Sequence, residues 1–259
     1  MGGSLPDPVV VAALRAAGCV YAEEEAALLQ AEASDAADLE LKLTRRVGGE
    51  PLEQVLGWAE FCGLRIKVAK GVFVPRKRTE AVAELAIELT AATDHLPVVV
   101  DLCCGTGAIG VAVASSVPAV ELHAADIDPD AVACARQNVT MGKVHEGDLY
   151  DALPAKLRGR VDVLLVNAPY VPTDEVGLMP PEARLHEHRV ALDGGTDGLE
   201  LHRRVASGAP GWLTPGGSLL IETSPRQAAD TARFCIEAGL DVQILGDDPA
   251  RVVRAISSG

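Results

Sequence analysis

Val98-Val99-Val100-Asp101-Leu102-Cys103-Cys104-Gly105-Thr106-Gly107 runs directly into the helical pattern Ala108 to Ser115. An apolar, β-branched run that ends in a glycine-rich turn and re-enters as a helix reads as the first βα unit of a doubly wound sheet. Such sheets bind nucleotide-like ligands in the crevice at the carboxyl ends of their strands. Downstream, short β-branched runs alternate with helical patterns, and the predicted strands cover 98–102, 120–125, 143–146, 161–166, 217–222, 241–245 and 251–256. That alternation implies βαβ units and a parallel sheet covered on both faces. The last two strands are joined by Gly246-Asp247-Asp248-Pro249, too short for a parallel crossover, so the final strand is expected to be antiparallel to its partner.

Upstream the pattern changes. Val9 to Ala17, Ala22 to Ala31 and Asp35 to Val47 read as helices, the third capped by Asp35 and stopped by Gly48-Gly49. Phe61 to Val74 alternates like a strand pair turning at Lys70-Gly71, Pro75 ends it, and Thr79 is placed to cap a helix over 80–92. The expected division is a helical domain over 1–50, a hairpin linker over 51–78 and an α/β domain over 79–259.

The chain has 259 residues, 48% of them hydrophobic, and a net charge of −14, which suits a sizeable core and opposes a broad nucleic-acid or anionic-membrane footprint. The charge is uneven. Residues 1–50 carry nine acids and four bases, residues 51–96 six of each, and residues 97–259 carry 22 acids and 13 bases. Within the neutral segment, Arg65 to Arg78 holds six bases and no acid, readable as a solvated hairpin or as a docking strip for an acidic partner. The six cysteines include no Cys-x-x-Cys pair, there is no signal-peptide pattern, and no apolar run approaches a membrane span, so a cytoplasmic protein with reduced thiols is expected.

The glycine turn formally contains Gly-x-Gly-x-x-Gly over Gly105 to Gly110, a weak dinucleotide signal on its own. Asp101 in front of it would repel a pyrophosphate and attract an ammonium group, which fits S-adenosylmethionine. Asp126 ends the second strand 25 residues beyond Asp101, near the offset at which a strand-end carboxylate receives ribose hydroxyls. Asp128, opening Asp-Pro-Asp, reads as a helix cap. Asp148, beside Leu149 after the third strand, could accept from an adenine amino group or simply serve a turn. The expected cofactor set is thus Asp101, Cys103, Cys104, Gly105, Thr106, Gly107, Asp126, Asp148, Leu149 and Asn167.

Asn167 begins the most specific signal. The apolar run Val161 to Val166 delivers Asn167-Ala168-Pro169-Tyr170 to the same edge of the sheet. This looks like the (Asp/Asn/Ser)-Pro-Pro-(Tyr/Phe/Trp) motif of methyltransferases acting on planar amide or exocyclic amino nitrogens. The lone pair of such a nitrogen is delocalised, so it is a poor nucleophile. The Asn167 side-chain oxygen and the Ala168 carbonyl can hold its two N–H bonds, Pro169 shapes the turn and Tyr170 can stack on the planar group. Positioning and electrostatics then do most of the chemistry without a strong base.

With these residues the chain resembles the HemK-type protein-(glutamine-N5) methyltransferases, which modify the glutamine of the Gly-Gly-Gln loop in peptide-chain release factors. The likeness runs from about Gly49 onward through Glu50-Pro51-Leu52, Gly57, Glu60-Phe61, Gly63-Leu64, Val72 to Arg76, Thr79-Glu80, the turn at Asp101 to Gly107, Asp126, Asp148 and Asn167 to Tyr170. It continues through Glu187 and Ala191 to Leu199 with its Gly-Gly-x-x-Gly-Leu pattern. The resemblance implies a class I, Rossmann-like S-adenosylmethionine methyltransferase fold with a small N-terminal helical domain and β-hairpin linker. It also implies S-adenosylmethionine as cofactor, a release factor as protein substrate, and no direct nucleic-acid substrate, membrane or metal. Three departures stand out: Ala168 for the first proline of the motif, Lys77-Arg78 where the family carries a proline and an acid, and a shorter N-terminal helical region. The rivals are the same chemistry on another protein glutamine or a small-molecule amide or amine, a nucleic-acid base methyltransferase, and a silent binding protein.

The 25 residues from Val171 to Gly195 are long for a plain connection and are expected to form a functional loop over the site. His186 and His188 within it are read as polar loop residues rather than metal ligands. Cys103 and Cys104 are read as small side chains in a tight turn.

Overall fold

The computed structural model describes residues 5–246 and 251–258, so the Asp247-Asp248-Pro249 part of the last connection lies outside the described residues. Helix α1 (Pro8–Ala16) starts with proline in its first turn, and Asp7 caps it by accepting from the Val9 N–H. Then come α2 (Ala22–Glu32) and α3 (Ala36–Val47), where Asp35 accepts from the Asp38 N–H as its sequence position suggests. The short α4 (Leu52–Leu56) ends at Gly57 with φ +82°. These helices bury Val10, Leu14, Ala26, Leu29 and Val55 together.

The hairpin is displaced from the predicted one. Strands β1 (Trp58–Phe61) and β2 (Leu64–Lys67) pair antiparallel, Trp58 opposite Lys67 and Phe61 opposite Leu64. The turn is therefore Cys62-Gly63, with φ of +50° and +70°, not Lys70-Gly71. Two consecutive positive φ values are what a two-residue hairpin turn demands, and glycine at the second position relieves it. Val68, Val72 and Val74 are buried as their alternation implied. Their segment pairs elsewhere, through a bridge from Gly71 to Glu187. Alternation reports a buried face but not the partner of a strand. Thr79 is also corrected: a 3-10 turn at Lys77–Thr79 leads straight into α5 (Glu80–Ala91), and Thr79 makes no side-chain cap.

The remainder is the α/β unit, with β3 (Val98–Leu102), α6 (Ala108–Ser116), β4 (Glu121–Asp126), α7 (Pro129–Asn138), β5 (Lys143–Glu146), β6 (Val161–Val166), α8 (Pro181–His186), α9 (Glu200–Gly208), β7 (Leu213–Thr223), α10 (Ala228–Glu237), β8 (Leu240–Leu245) and β9 (Arg251–Ser257). β7 begins four residues earlier than predicted, across an irregularity where its pairing with β6 shifts register. The sheet order is β5-β4-β3-β6-β7-β9-β8, with β9 antiparallel to both β7 and β8.

Both faces of the central strands are dry. Val98, Val100 and Leu102 enter one apolar cluster with Leu164 and Val166, while Val99 enters another with Val163 and Leu165. That explains the predominantly apolar runs of β3 and β6, since a strand covered on both sides needs no polar alternation. The chain leaves β3 for β4 and β5 on one side and returns to β6 on the other, so a crevice opens at the carboxyl ends of β3, β4 and β6. Among the described residues no helix is long and apolar enough to cross a membrane.

Candidate active site

A cavity of about 650 Å³ occupies that crevice, a size usual for small-molecule sites. Its floor is the turn after β3. Cys103, Gly105 and Gly107 have φ of +54°, +55° and +78°, and Gly107 starts α6. The turn is tied down by backbone, the Cys104 N–H donating to the Ala125 carbonyl at 3.1 Å. The Gly105 N–H donates to Asp126 Oδ2 at 2.8 Å, and the Asp128 N–H to Asp126 Oδ1 at 2.9 Å. Asp126 lines the cavity, and its carboxylate keeps lone pairs beyond these two bonds. Burial pushes its pKa up while the two N–H donors pull it down.

Asp101 departs from expectation. It is 1% exposed, one oxygen accepts from the Gly110 N–H at 2.9 Å, and the other has no partner among the described residues. Burial raises its carboxyl to about 7. It does not line the cavity. Its side chain is therefore a strut between β3 and α6 rather than a wall that meets a cationic ligand. Cys103 and Cys104 line the cavity as turn residues, and burial pushes both thiols well above their ordinary range, which keeps them protonated. Thr106, Asp148 and Leu149 also face the cavity. Leu149 has φ +46°, and Asp148 is paired with Arg204 at 2.7 Å.

The opposite wall begins at the end of β6. Asn167, Ala168, Pro169 and Tyr170 all line the cavity. The Asn167 side chain is half-buried and has no hydrogen-bond partner among the described residues. Tyr170 is held at both ends: its phenol oxygen accepts from Arg78 Nη2 at 2.8 Å, and its carbonyl accepts from Gln227 Nε2 at 2.9 Å. Arg78 in turn donates to Glu222, which is 1% exposed at the end of β7. The Gly-Gly-x-x-Gly segment packs against this turn. A Cβ on Gly198 would lie 2.3 Å from the Tyr170 carbonyl, and one on Gly194 2.7 Å from that of Pro169. These glycines are needed for backbone approach, a role that sequence reasoning had not assigned.

The 171–195 segment does form a roof, and it has structure of its own, including α8. It is stapled by Glu187, whose Oε1 accepts from the Val74 N–H at 3.1 Å and from Arg76 at 2.6 Å. Gln54 donates to the Val72 and His186 carbonyls, both at 3.1 Å. Arg46 reaches both Glu25 and Glu182 at 2.6 Å. His188 is a latch: its Nδ1 lies 2.7 Å from Asp128, which also caps α7 by accepting from the Asp130 N–H. Asp128, Asp130 and His188 do come within 4.8 Å of one another, a grouping that the cap and latch account for.

The basic strip dissolves in three dimensions. Arg65 pairs with Glu32 and lies over Trp58, Arg76 pairs with Glu187, Lys77 with Glu80 and Arg78 with Glu222. Four of its six cations thus meet acids of the same chain, while Arg65, Lys67, Lys70, Lys77 and Arg78 remain exposed, as in a solvated segment.

Residues 63–195 match the Methyltransferase small domain family. The chain is 40% identical over 188 residues to the release factor glutamine methyltransferase of Streptomyces coelicolor, covering 71% of this chain and 66% of that one. It is 34% identical over 218 residues to the release factor glutamine methyltransferase of Geobacter sulfurreducens, covering 83% and 75%. It is also 38% identical over 193 residues to the 4-amino-L-phenylalanine/4-methylamino-L-phenylalanine methyltransferase of Streptomyces pristinaespiralis, covering 71% and 65%. Among solved structures, a methyltransferase from Pyrococcus furiosus shares the fold with a TM-score of 0.56 at 16% identity, over 85% of this chain and 99% of that one.

Proposed function

From the premise that the chain belongs to the release factor glutamine methyltransferase family, we propose that it transfers a methyl group from S-adenosylmethionine to a glutamine side-chain nitrogen, that of the Gly-Gly-Gln loop of a peptide-chain release factor, in the cytoplasm. One observation carries the reading. Asn167 faces the cavity with an amide that no other described residue engages, beside the Ala168 carbonyl and opposite the glycine turn.

The donor side fits the cofactor. The positive-φ turn at Cys103 to Gly107 brings backbone close to a ligand, and Asp126 retains acceptor capacity for hydroxyl groups. Leu149 adds apolar surface and Asp148 a rim carboxylate, while Asp101 supports the turn from behind. When bound, S-adenosylmethionine supplies an electrophilic methyl group. The chain's own part is to hold the acceptor: Asn167 Oδ1 and the Ala168 carbonyl accept the two amide N–H bonds, which turns the nitrogen lone pair toward the donor side. Tyr170 packs on the planar amide, and the roof excludes water. No residue on this wall is called on as a strong base.

The helical segment over 1–50 is proposed to dock the protein substrate, with 51–78 as linker and 79–259 as the catalytic domain. The test is mass spectrometry of a release factor incubated with enzyme and donor. One added methyl on the Gly-Gly-Gln peptide is expected, and an unmodified peptide under conditions of full donor binding overturns the reading. A second reading keeps the chemistry and takes a small-molecule amine, as the Streptomyces pristinaespiralis relative does. It is favoured by Arg78, a cation on the acceptor wall.

A further inference from the structure

We propose that Arg78 is a specificity-determining residue that pairs with a carboxylate on the methyl acceptor, so that this chain selects acceptors with an anionic group beside the reacting nitrogen. The inference rests on the methyltransferase reading above and deepens it by naming the substrate class.

Arg78, Arg189 and Arg204 all line the cavity. Arg189 is engaged twice by one carboxylate, its Nε and Nη2 lying 3.0 and 2.9 Å from Asp193. Arg204 meets Asp148 at 2.7 Å on the donor side. Arg78 differs in place and in saturation. Its Nη2 donates to the Tyr170 phenol at 2.8 Å, which puts the guanidinium at the acceptor end, on the motif that begins with Asn167. Its Nε makes one long contact, 3.3 Å, with Glu222, and its Nη1 has no partner among the described residues. A guanidinium carries five N–H donors in a planar fork, so most of this one's capacity is unused.

Glu222 explains why the fork is held. It is 1% exposed, and its second oxygen has no partner among the described residues, where Arg78 is the cation that this buried carboxylate leans on. A buried acid behind and a phenol beside the guanidinium fix its orientation before any ligand arrives. The remaining donors on an Arg side chain that is 40% exposed then suit a planar carboxylate. A neutral amide segment would leave them to water. The carboxylate has two possible sources: an acidic residue next to the modified glutamine in a protein, or the α-carboxylate of a free amino acid whose side chain carries the amine.

The enzyme saturated with S-adenosylhomocysteine is titrated by calorimetry with two matched pairs: a Gly-Gly-Gln-Glu peptide against Gly-Gly-Gln-Gln, and 4-amino-L-phenylalanine against its carboxamide. In one pair the carboxylate member is expected to bind on the order of tenfold or more tighter, the gap of a charge-assisted hydrogen bond. Arg78→Met should level that pair while leaving S-adenosylhomocysteine affinity in place, and Arg78→Lys should keep part of the preference. Preference in the peptide pair assigns the source to protein sequence context, and preference in the other pair assigns it to a free amino acid. Because Arg78→Met strands Glu222, the double variant Arg78→Met with Glu222→Gln is measured alongside and should behave alike. Equal binding within both pairs, or a preference that survives both variants, overturns the proposal. Turnover with S-adenosylmethionine is read in parallel. A carboxylate preference without turnover of any acceptor, release factor included, would sink the proposed function and leave the role of Arg78 standing.

Discussion

The two sides of the cavity are built on different principles. The donor side is more local: the turn at Cys103 to Gly107 is held largely by backbone groups, and its side-chain ties, Gly105 to Asp126 and Asn138 to the Thr106 carbonyl, span 21 and 32 positions. The acceptor side is assembled across the chain, with Arg78 meeting Tyr170 over 92 positions, Arg76 meeting Glu187 over 111, and Arg78 meeting Glu222 over 144. A backbone-built surface tolerates side-chain change and binds what any member of such a fold binds. A surface made of paired side chains can change its selectivity with one substitution.

Breaking the acceptor side should have the largest effect on activity. Asn167→Ala removes the amide acceptor aimed at the substrate, and a loss in kcat of about 100-fold or more is expected, with donor affinity within a few fold, measured by single-turnover assay and calorimetry. Equal damage to both would mean that the two sides are not separable. Next is Gly198→Ala. Its φ is +72° and a Cβ would lie 2.3 Å from the Tyr170 carbonyl, so the substitution should cost about 2–3 kcal/mol in denaturant unfolding through strain and overpacking. Turnover should fall further than stability requires, because Tyr170 is displaced.

Glu187→Gln tests the roof. The amide can still accept from the Val74 N–H but loses the charge that meets Arg76, and since Arg76 is partly exposed the expected cost is about 1–2 kcal/mol. The Michaelis constant for a protein acceptor should rise more than the donor dissociation constant. The smallest effect on activity belongs to the donor side. Asp101 has its carboxyl raised from 3.8 to about 7 by burial, so the folded state binds its proton more tightly than the unfolded chain does. Its contribution to stability is full below pH 3.8 and is lost as pH rises toward 7. Asp101→Asn keeps an acceptor for the Gly110 N–H and cannot ionise, so it should gain on the wild type as pH rises through that window in denaturant melts. A constant difference would show that Asp101 is ionised in the folded protein.

What could be read without the structure follows the same division. The β3 and β6 strands, both motif turns, Asp126 and the cap residues Asp35 and Asp128 were legible because each depends on neighbours a few residues away. The hairpin was misplaced because Val68 and Val74 are buried with Ala59, and Val72 with Ala131 and Cys134, rather than by a strand partner across a Lys70-Gly71 turn. The Gly-Gly-x-x-Gly segment was visible as a pattern, but its reason, contact with the Pro169 and Tyr170 backbone, is a long-range fact. The basic run at Arg65 to Arg78 looked like one surface, and its members face four different acids.

Sequence by itself determined the sheet, the edge at which the cavity opens and the two motif turns that meet there, because strand hydrophobicity, glycine turns and Asn-Ala-Pro-Tyr act through local backbone geometry. Only the tertiary structure decided that Asp101 is a strut, that the roof is pinned by Glu187 and Gln54, and that Arg78 stands on a buried Glu222 with donors to spare. Burial and ion pairing are set by which distant segments meet, and a linear order of residues does not contain that information in readable form.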